Sequence, residues 1–231
     1  MKHLYLDKIK SLESPPRKVN IFSEKEINMI IDLYNSLPES TFNKKQNVRK
    51  KAWIQNVNKE LDVIYFNKLK EALGDFKMDT LKSKNGEDYY GLFHESFSPL
   101  PLHVDSGFDE NAVVYKQVIT PLMAPGDTIF FNKRWYGRSA TFTINEEELK
   151  FEPKAGQNER SKGHLGNGEF DREIHKKYLN HIDINNLKGL EVEMIYNWKI
   201  GESLIVDRTH IHCASSRIVG KKLGLTTFTK K

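Results

Sequence analysis

A helical first third followed by seven short β-rich runs predicts a mainly β domain, a sandwich or barrel with helices packed on one side. The runs cover 89–97, 112–121, 127–131, 139–144, 190–198, 203–207 and 223–229, and Pro, Gly and Asn punctuate them. The helical part opens with Ser23-Glu24-Lys25-Glu26, a capping box in which hydroxyl and carboxylate satisfy two orphan amides reciprocally. Ile27, Ile30, Ile31 and Tyr34 then recur on one helical face, which ends near Pro38. A second helix is expected over 58–73, with Leu61, Ile64, Leu69 and Ala72 on one side and Gly74 as its stop. The polar, basic stretch 43–51 between the helices reads as an exposed loop. Within the β-rich part, 145–187 forms an irregular insertion, and Phe170, Ile174 and Tyr178 mark one short helix inside it.

The length of 231 residues, with 38% hydrophobic side chains, suits one domain able to bury a sizeable core. We expect residues 1–85 to be helical support and 86–231 to be the β core. No apolar run reaches the roughly 18 residues of a bilayer span, and the N-terminus begins no signal-peptide stretch. The one cysteine, Cys213, excludes an internal disulfide and a cysteine-based zinc finger, and favours a reducing, cytoplasmic setting. It reads as buried and inert. The net charge of +5 permits anionic partners, nucleic acid included, without selecting them.

Phosphate-cradling and serine-hydrolase signatures are absent from the sequence. Histidines carry the chemistry instead. His103-Val104-Asp105 puts an imidazole and a carboxylate on one face of a strand, where both can reach one metal ion. With 8 histidines and 31 acidic residues, chance supplies about one His-x-Asp/Glu. Two are present, the other being His181-Ile182-Asp183. A second histidine ligand decides between them. Two His and one carboxylate on one octahedral face mark non-haem Fe(II) oxygenase sites, and His210 and His212 are the candidates. From Asp105 to His212 there are 107 positions, room for several strands; from Asp183 there are only 29.

With Pro101-Leu102-His103-Val104-Asp105-Ser106-Gly107, the late Asp207-Arg208-Thr209-His210-Ile211-His212-Cys213 and the following Lys221-Lys222-Leu223-Gly224-Leu225-Thr226-Thr227-Phe228, the sequence resembles the Fe(II)/2-oxoglutarate-dependent dioxygenases, especially their phytanoyl-CoA-hydroxylase-like and prolyl-hydroxylase-like branches. The resemblance spans roughly 89–228. It implies a double-stranded β-helix (a cupin-like jelly roll) and a metal site of His103, Asp105 and His212, with His210 as the other choice of distal ligand. It implies Fe(II), 2-oxoglutarate and O2 as cofactor and cosubstrates, and Lys222, ten positions after His212, as the anchor of the distal carboxylate. Arg217, Lys221 and Lys116 are the alternative anchors. Tyr115, Gln117 and Ser215 are the expected partners that orient ligands. His94 reads as structural or pocket-lining, and His164, His175 and His181 as solvent-exposed.

The implied reaction is hydroxylation of an unactivated C–H bond, with release of succinate and CO2, on a small-molecule or peptidyl substrate. Two rivals stand beside it: a non-redox metal-binding cupin- or lectin-like module, and an oxidative demethylase acting on nucleic acid. The second draws on the net charge and on the loop Lys133 to Arg138, part of the run Phe130 to Arg138 whose aromatic and basic residues serve either a substrate surface or a packed hairpin turn.

Overall fold

The computed structural model describes residues 4–38, 42–43, 48–79, 86–123, 126–144, 166–218 and 220–231. After α1 (Leu6–Ser11) and β1 (Arg17–Val19) comes α2 (Glu24–Ser36), where Ser23 and Glu26 form the expected capping box and Leu37 ends the helix. β2 (Phe42–Asn43) and β3 (Val48–Ile54) lead to α3 (Lys59–Leu73), capped by the Asn58 side chain and stopped at Gly74. Its buried face is Leu61, Tyr65, Leu69 and Leu73, while Ile64 and Ala72 flank it half-buried. The remaining strands are β4 (Lys77–Met78), β5 (Tyr89–Ser96), β6 (His103–Val104), β7 (Val114–Met123), β8 (Asp127–Arg134), β9 (Ala140–Thr141), β10 (Val192–Asn197), β11 (Ser203–Asp207), β12 (His210–Ala214) and β13 (Lys222–Lys230).

Among the described residues, two antiparallel sheets face each other. The larger runs β1-β11-β7-β13-β5-β3-β2, with β4 also on β13, and the smaller runs β10-β8-β12-β6-β9. From β5 to β8 and again from β10 to β13, strands successive in sequence alternate between the sheets, which is the winding of a double-stranded β-helix. Ile119, Phe130, Tyr196, Leu204 and Val206 fill the space between the sheets. Outside the larger sheet, α2 and α3 bury Ile30, Trp53, Tyr65 and Phe93. Outside the smaller sheet, Phe170, Leu179 and Leu187 cover Ile129, Phe131 and Ile211. No helix among the described residues is long and apolar enough to cross a membrane.

The stretch expected as an exposed loop is a correction, since 48–54 forms β3, an antiparallel neighbour of β5. Its charges are satisfied by partners distant in sequence. Arg49 pairs with Glu95 at 3.0 Å, and the Lys51 ammonium bonds the Tyr34 carbonyl at 2.9 Å and lies over the Tyr34 ring. Together with β1 and β4, β3 makes the first 85 residues contributors to the sheet as well as to the helical layer. In the insertion, 166–190 holds a short helical run over 172–179 and a 3-10 turn at Ile184–Leu187. Its earlier part, with His164, lies outside the described residues.

Candidate metal centre

His103 and Asp105 enter from the short strand β6, and His212 lies directly across from His103 on β12. One ligand atom from each of His103, Asp105 and His212 falls within 4.8 Å of the others. The Asp105 carboxylate oxygen is 3.9 Å from His103 Nε2 and 3.6 Å from His212 Nε2. A metal bound at about 2.1 Å to all three would draw the carboxylate and each imidazole to about 3 Å of one another, a contraction of under about 1 Å in these two distances. Both imidazoles are held by their other nitrogen. His103 Nδ1 bonds the Pro101 carbonyl at 2.7 Å, and His212 Nδ1 bonds the His210 carbonyl at 2.9 Å. With Nδ1 donating to a carbonyl, each Nε2 keeps its lone pair for a metal. Phe130 stacks on the His212 ring with centroids 5.2 Å apart, and the Gln117 amide donates to Asp105 Oδ2 at 3.0 Å.

Electrostatics favour the deprotonated donor set that metal binding needs. Burial, with the neighbouring His103 opposing a second positive charge, lowers the His212 pKa to about 3. Burial pushes the Asp105 carboxyl up, but the imidazoles of His103, His212 and His94 outweigh it and hold Asp105 below the usual carboxylate range. Asp105 keeps 30% of its side chain exposed against 5% for His212, so the set is open on the carboxylate side.

Lys222 begins β13 and projects between the sheets, since its neighbours Leu223 and Leu225 face the helical layer. Its ammonium sits 3.8 Å from the Trp198 ring centroid, 3.3 Å from the Asp127 carbonyl and 3.5 Å from the Thr128 hydroxyl. Among the described residues no carboxylate lies within ion-pair distance of it. Burial lowers its pKa to about 7, against the opposing pull of Asp127. A buried ammonium held only by neutral groups fits an incoming anion. The donor set and this lysine together therefore fit a divalent metal and a dicarboxylate.

The other expected site residues are placed as follows. Ser215 donates to Asp127 Oδ2 at 3.1 Å, bracing the strand end beside Lys222. Arg217 is half exposed, 4.0 Å from Asp127, with its guanidinium over Tyr178. Lys116 is paired with Asp207, and Lys221 with Glu95 at 2.9 Å. These three cations already have carboxylate partners, whereas Lys222 has none within ion-pair distance among the described residues. Tyr115 is a correction: its hydroxyl donates to the Leu73 carbonyl at 3.1 Å, away from the metal site. The cause is a register irregularity between Phe228 and Lys230 on β13, opposite Tyr115 and Lys116, which re-aims the side chain. His210 Nε2 lies 2.7 Å from Glu193, outside the ligand triad. His175 and His181 are half-buried and bonded to backbone carbonyls rather than exposed. Cys213 is buried and its thiol pKa is raised by that burial.

Sequence reasoning missed Trp198, Asp127 and Arg208, which no motif advertises. It read His94 as structural or pocket-lining. That side chain is half-buried, with its Nε2 buried and unpartnered, on the face of β5 opposite Phe93 and Glu95. In the 130–138 run, Arg134 pairs with Asp207 and Glu193, Arg138 with Glu110, and the Trp135 indole donates to the Arg138 carbonyl. The arginines of this run are already engaged, and the run is a correction to the hairpin expectation, since β9 after it pairs with β6 and not with β8.

No protein-family profile matches the chain, and no curated protein matches it. Solved structures do. A 2OG-Fe(II) oxygenase family oxidoreductase from Burkholderia pseudomallei is 11% identical with a TM-score of 0.50, covering 97% of this chain and 89% of that one. HygX from Streptomyces hygroscopicus, with nickel, 2-oxoglutarate and hygromycin B bound, is 10% identical with a TM-score of 0.51, covering 98% and 87%. The non-haem alpha-ketoglutarate-dependent carbocyclase SnoK from nogalamycin biosynthesis is 8% identical with a TM-score of 0.55, covering 99% and 84%. The chain has the double-stranded β-helix fold shared by these 2OG-Fe(II) oxygenase structures.

Proposed function

We propose that the protein is an Fe(II)- and 2-oxoglutarate-dependent oxygenase that hydroxylates a C–H bond of a small molecule. The observation that carries this is the pairing, inside one barrel, of the open His103-Asp105-His212 set with a buried, carboxylate-free Lys222. The oxidant is O2; when bound, Fe(II) would activate it and 2-oxoglutarate would supply two electrons, leaving as succinate and CO2. The chain's own residues bind and orient. His103, Asp105 and His212 hold the metal on one face, and Gln117 fixes the carboxylate rotamer through Oδ2. Lys222, steadied by Trp198 and Thr128, holds the far carboxylate of the cosubstrate. Phe130 and Trp198 line its path with apolar surface that excludes water.

A small-molecule substrate is supported by HygX, whose structure contains hygromycin B. Hydroxylation is our choice among the outcomes this fold accommodates, SnoK being a carbocyclase. The test is an anaerobic titration with Fe(II) and then 2-oxoglutarate. A visible metal-to-ligand charge-transfer band in the wild type, absent in His212→Ala and weakened in Lys222→Ala, is expected. Bound metal without any band would overturn the oxygenase reading and leave a non-redox metal-binding roll.

A further inference from the structure

We infer that Arg208 is a positioning residue for the metal centre, an arginine clamp that locks the loop carrying Asp105 onto the end of the larger sheet; this rests on the metal-site reading above. Arg208 lies in the tight turn between β11 and β12, two residues before β12 begins, and is only 4% exposed. Its guanidinium faces three separate pieces of chain. Nε donates to the Asp105 carbonyl at 3.0 Å, while Nη1 bonds the Asp79 carboxylate and the Thr229 carbonyl, the latter at 3.3 Å. The plane also lies over the Phe228 ring, 5.0 Å from its centroid.

The metal-ligand loop is held from its other side, where Ser106 Oγ donates to the Gly137 carbonyl at 2.6 Å and Gly107 exchanges bonds with Ser139 at 2.8 and 2.7 Å, while Arg208 bonds the Asp105 carbonyl itself. β6 is only two residues long, and Asp105 follows it immediately. A planar, five-donor fork bonds a carbonyl and a carboxylate in different directions from one rigid plane. The far anchor is itself firm: Asp79 also pairs with Lys230 at 3.1 Å, and its amide bonds the Phe228 carbonyl at 2.9 Å. The loop makes room for the clamp at Gly107, which has φ +82, and where a Cβ would stand 2.9 Å from Arg208 Nη2. The Asp105 backbone is thus fixed by Arg208 and its carboxylate by Gln117.

The experiment is calorimetric titration of the full-length protein with Co(II), together with the visible spectrum of the Co(II) form. The wild type, Arg208→Gln, Arg208→Lys, Asp79→Asn and Trp53→Phe are compared. Trp53→Phe removes a buried bond to Asp62 in the helical layer and serves as the control for a purely structural loss. We expect Arg208→Gln to weaken Co(II) binding about 10- to 100-fold and to shift the spectrum. Asp79→Asn should have a smaller effect of the same kind, Arg208→Lys should recover part of the affinity, and Trp53→Phe should lower the melting temperature with wild-type affinity and spectrum. Wild-type affinity in Arg208→Gln, or an equal loss in Trp53→Phe, would overturn the clamp while leaving the metal centre standing. Failure of the wild type to bind Co(II) would overturn both.

Discussion

Lys222 carries a pH dependence that follows from its surroundings. Burial favours the neutral amine, so the free protein loses this charge above a pH of about 7 rather than at about 10.4. A bound carboxylate requires the ammonium. Affinity for 2-oxoglutarate should therefore be greatest below pH 7 and fall by up to about tenfold per unit above it. Titrations at pH 8 in buffers of different ionisation enthalpy should register uptake of close to one proton, and Lys222→Met should abolish both the slope and the uptake. The distal ligand offers a second test at this scale. His210→Ala should retain the Fe(II)–2-oxoglutarate charge-transfer band that His212→Ala loses, because His210 is turned onto Glu193. The sequence favoured His212 through its ten-residue spacing to Lys222 but kept His210 as the alternative, since positions i and i+2 share a strand face. What separates them is a carboxylate brought in beside an irregularity between Val192 and Met194, invisible until β10 is paired with β8. The His-x-Asp pair was legible because both ligands lie in one three-residue run.

At the scale of elements, alternation was legible and interruption was not. Ser203–Asp207 forms as expected, and 89–97 and 223–229 were placed within a residue or so, because each alternates between the helical layer and the barrel interior. β3 was missed because Arg49 and Lys51 look solvated until Glu95 and Tyr34 arrive. Tyr115 was misplaced because a bulge changes which face it serves, and a bulge leaves no mark in the alternation itself. Gly224 shows the reverse case, a residue whose reason lies across the barrel. A Cβ there would stand 2.5 Å from Trp198 Cη2, so the glycine lets the indole lie against β13 and beneath the Lys222 ammonium. Gly224→Ala should therefore cost about 1–3 kcal/mol of stability in urea unfolding. It should also weaken 2-oxoglutarate binding by displacing Trp198, while metal affinity stays at the wild-type value.

At the scale of the whole molecule, one buried charge cluster ties the N-terminal segment to both sheets. The Lys116 ammonium on β7 bonds the Asp207 carboxylate on β11, the Leu12 carbonyl at 2.9 Å and the Ser14 hydroxyl at 2.8 Å. Asp207 also accepts from the Ser14 amide at 3.1 Å and pairs with Arg134 of the smaller sheet at 3.4 Å. With Lys116 and Asp207 about 6% and 5% exposed in their side chains, neither charge has water to fall back on. Removing one partner should be far costlier than removing both. Asp207→Asn leaves Lys116 and Arg134 facing a neutral amide and should cost about 3–5 kcal/mol. Lys116→Met with Asp207→Leu, which empties the site of its buried pair, should recover much of that loss. The same network makes residues 4–38 part of one cooperative unit with the barrel, so urea unfolding of the wild type followed by tryptophan fluorescence and by far-UV circular dichroism should give coincident transitions. Two separated transitions, or an Asp207→Asn cost no greater than that of the double variant, would show that the N-terminal third is an independent support and that this cluster does not join it to the roll.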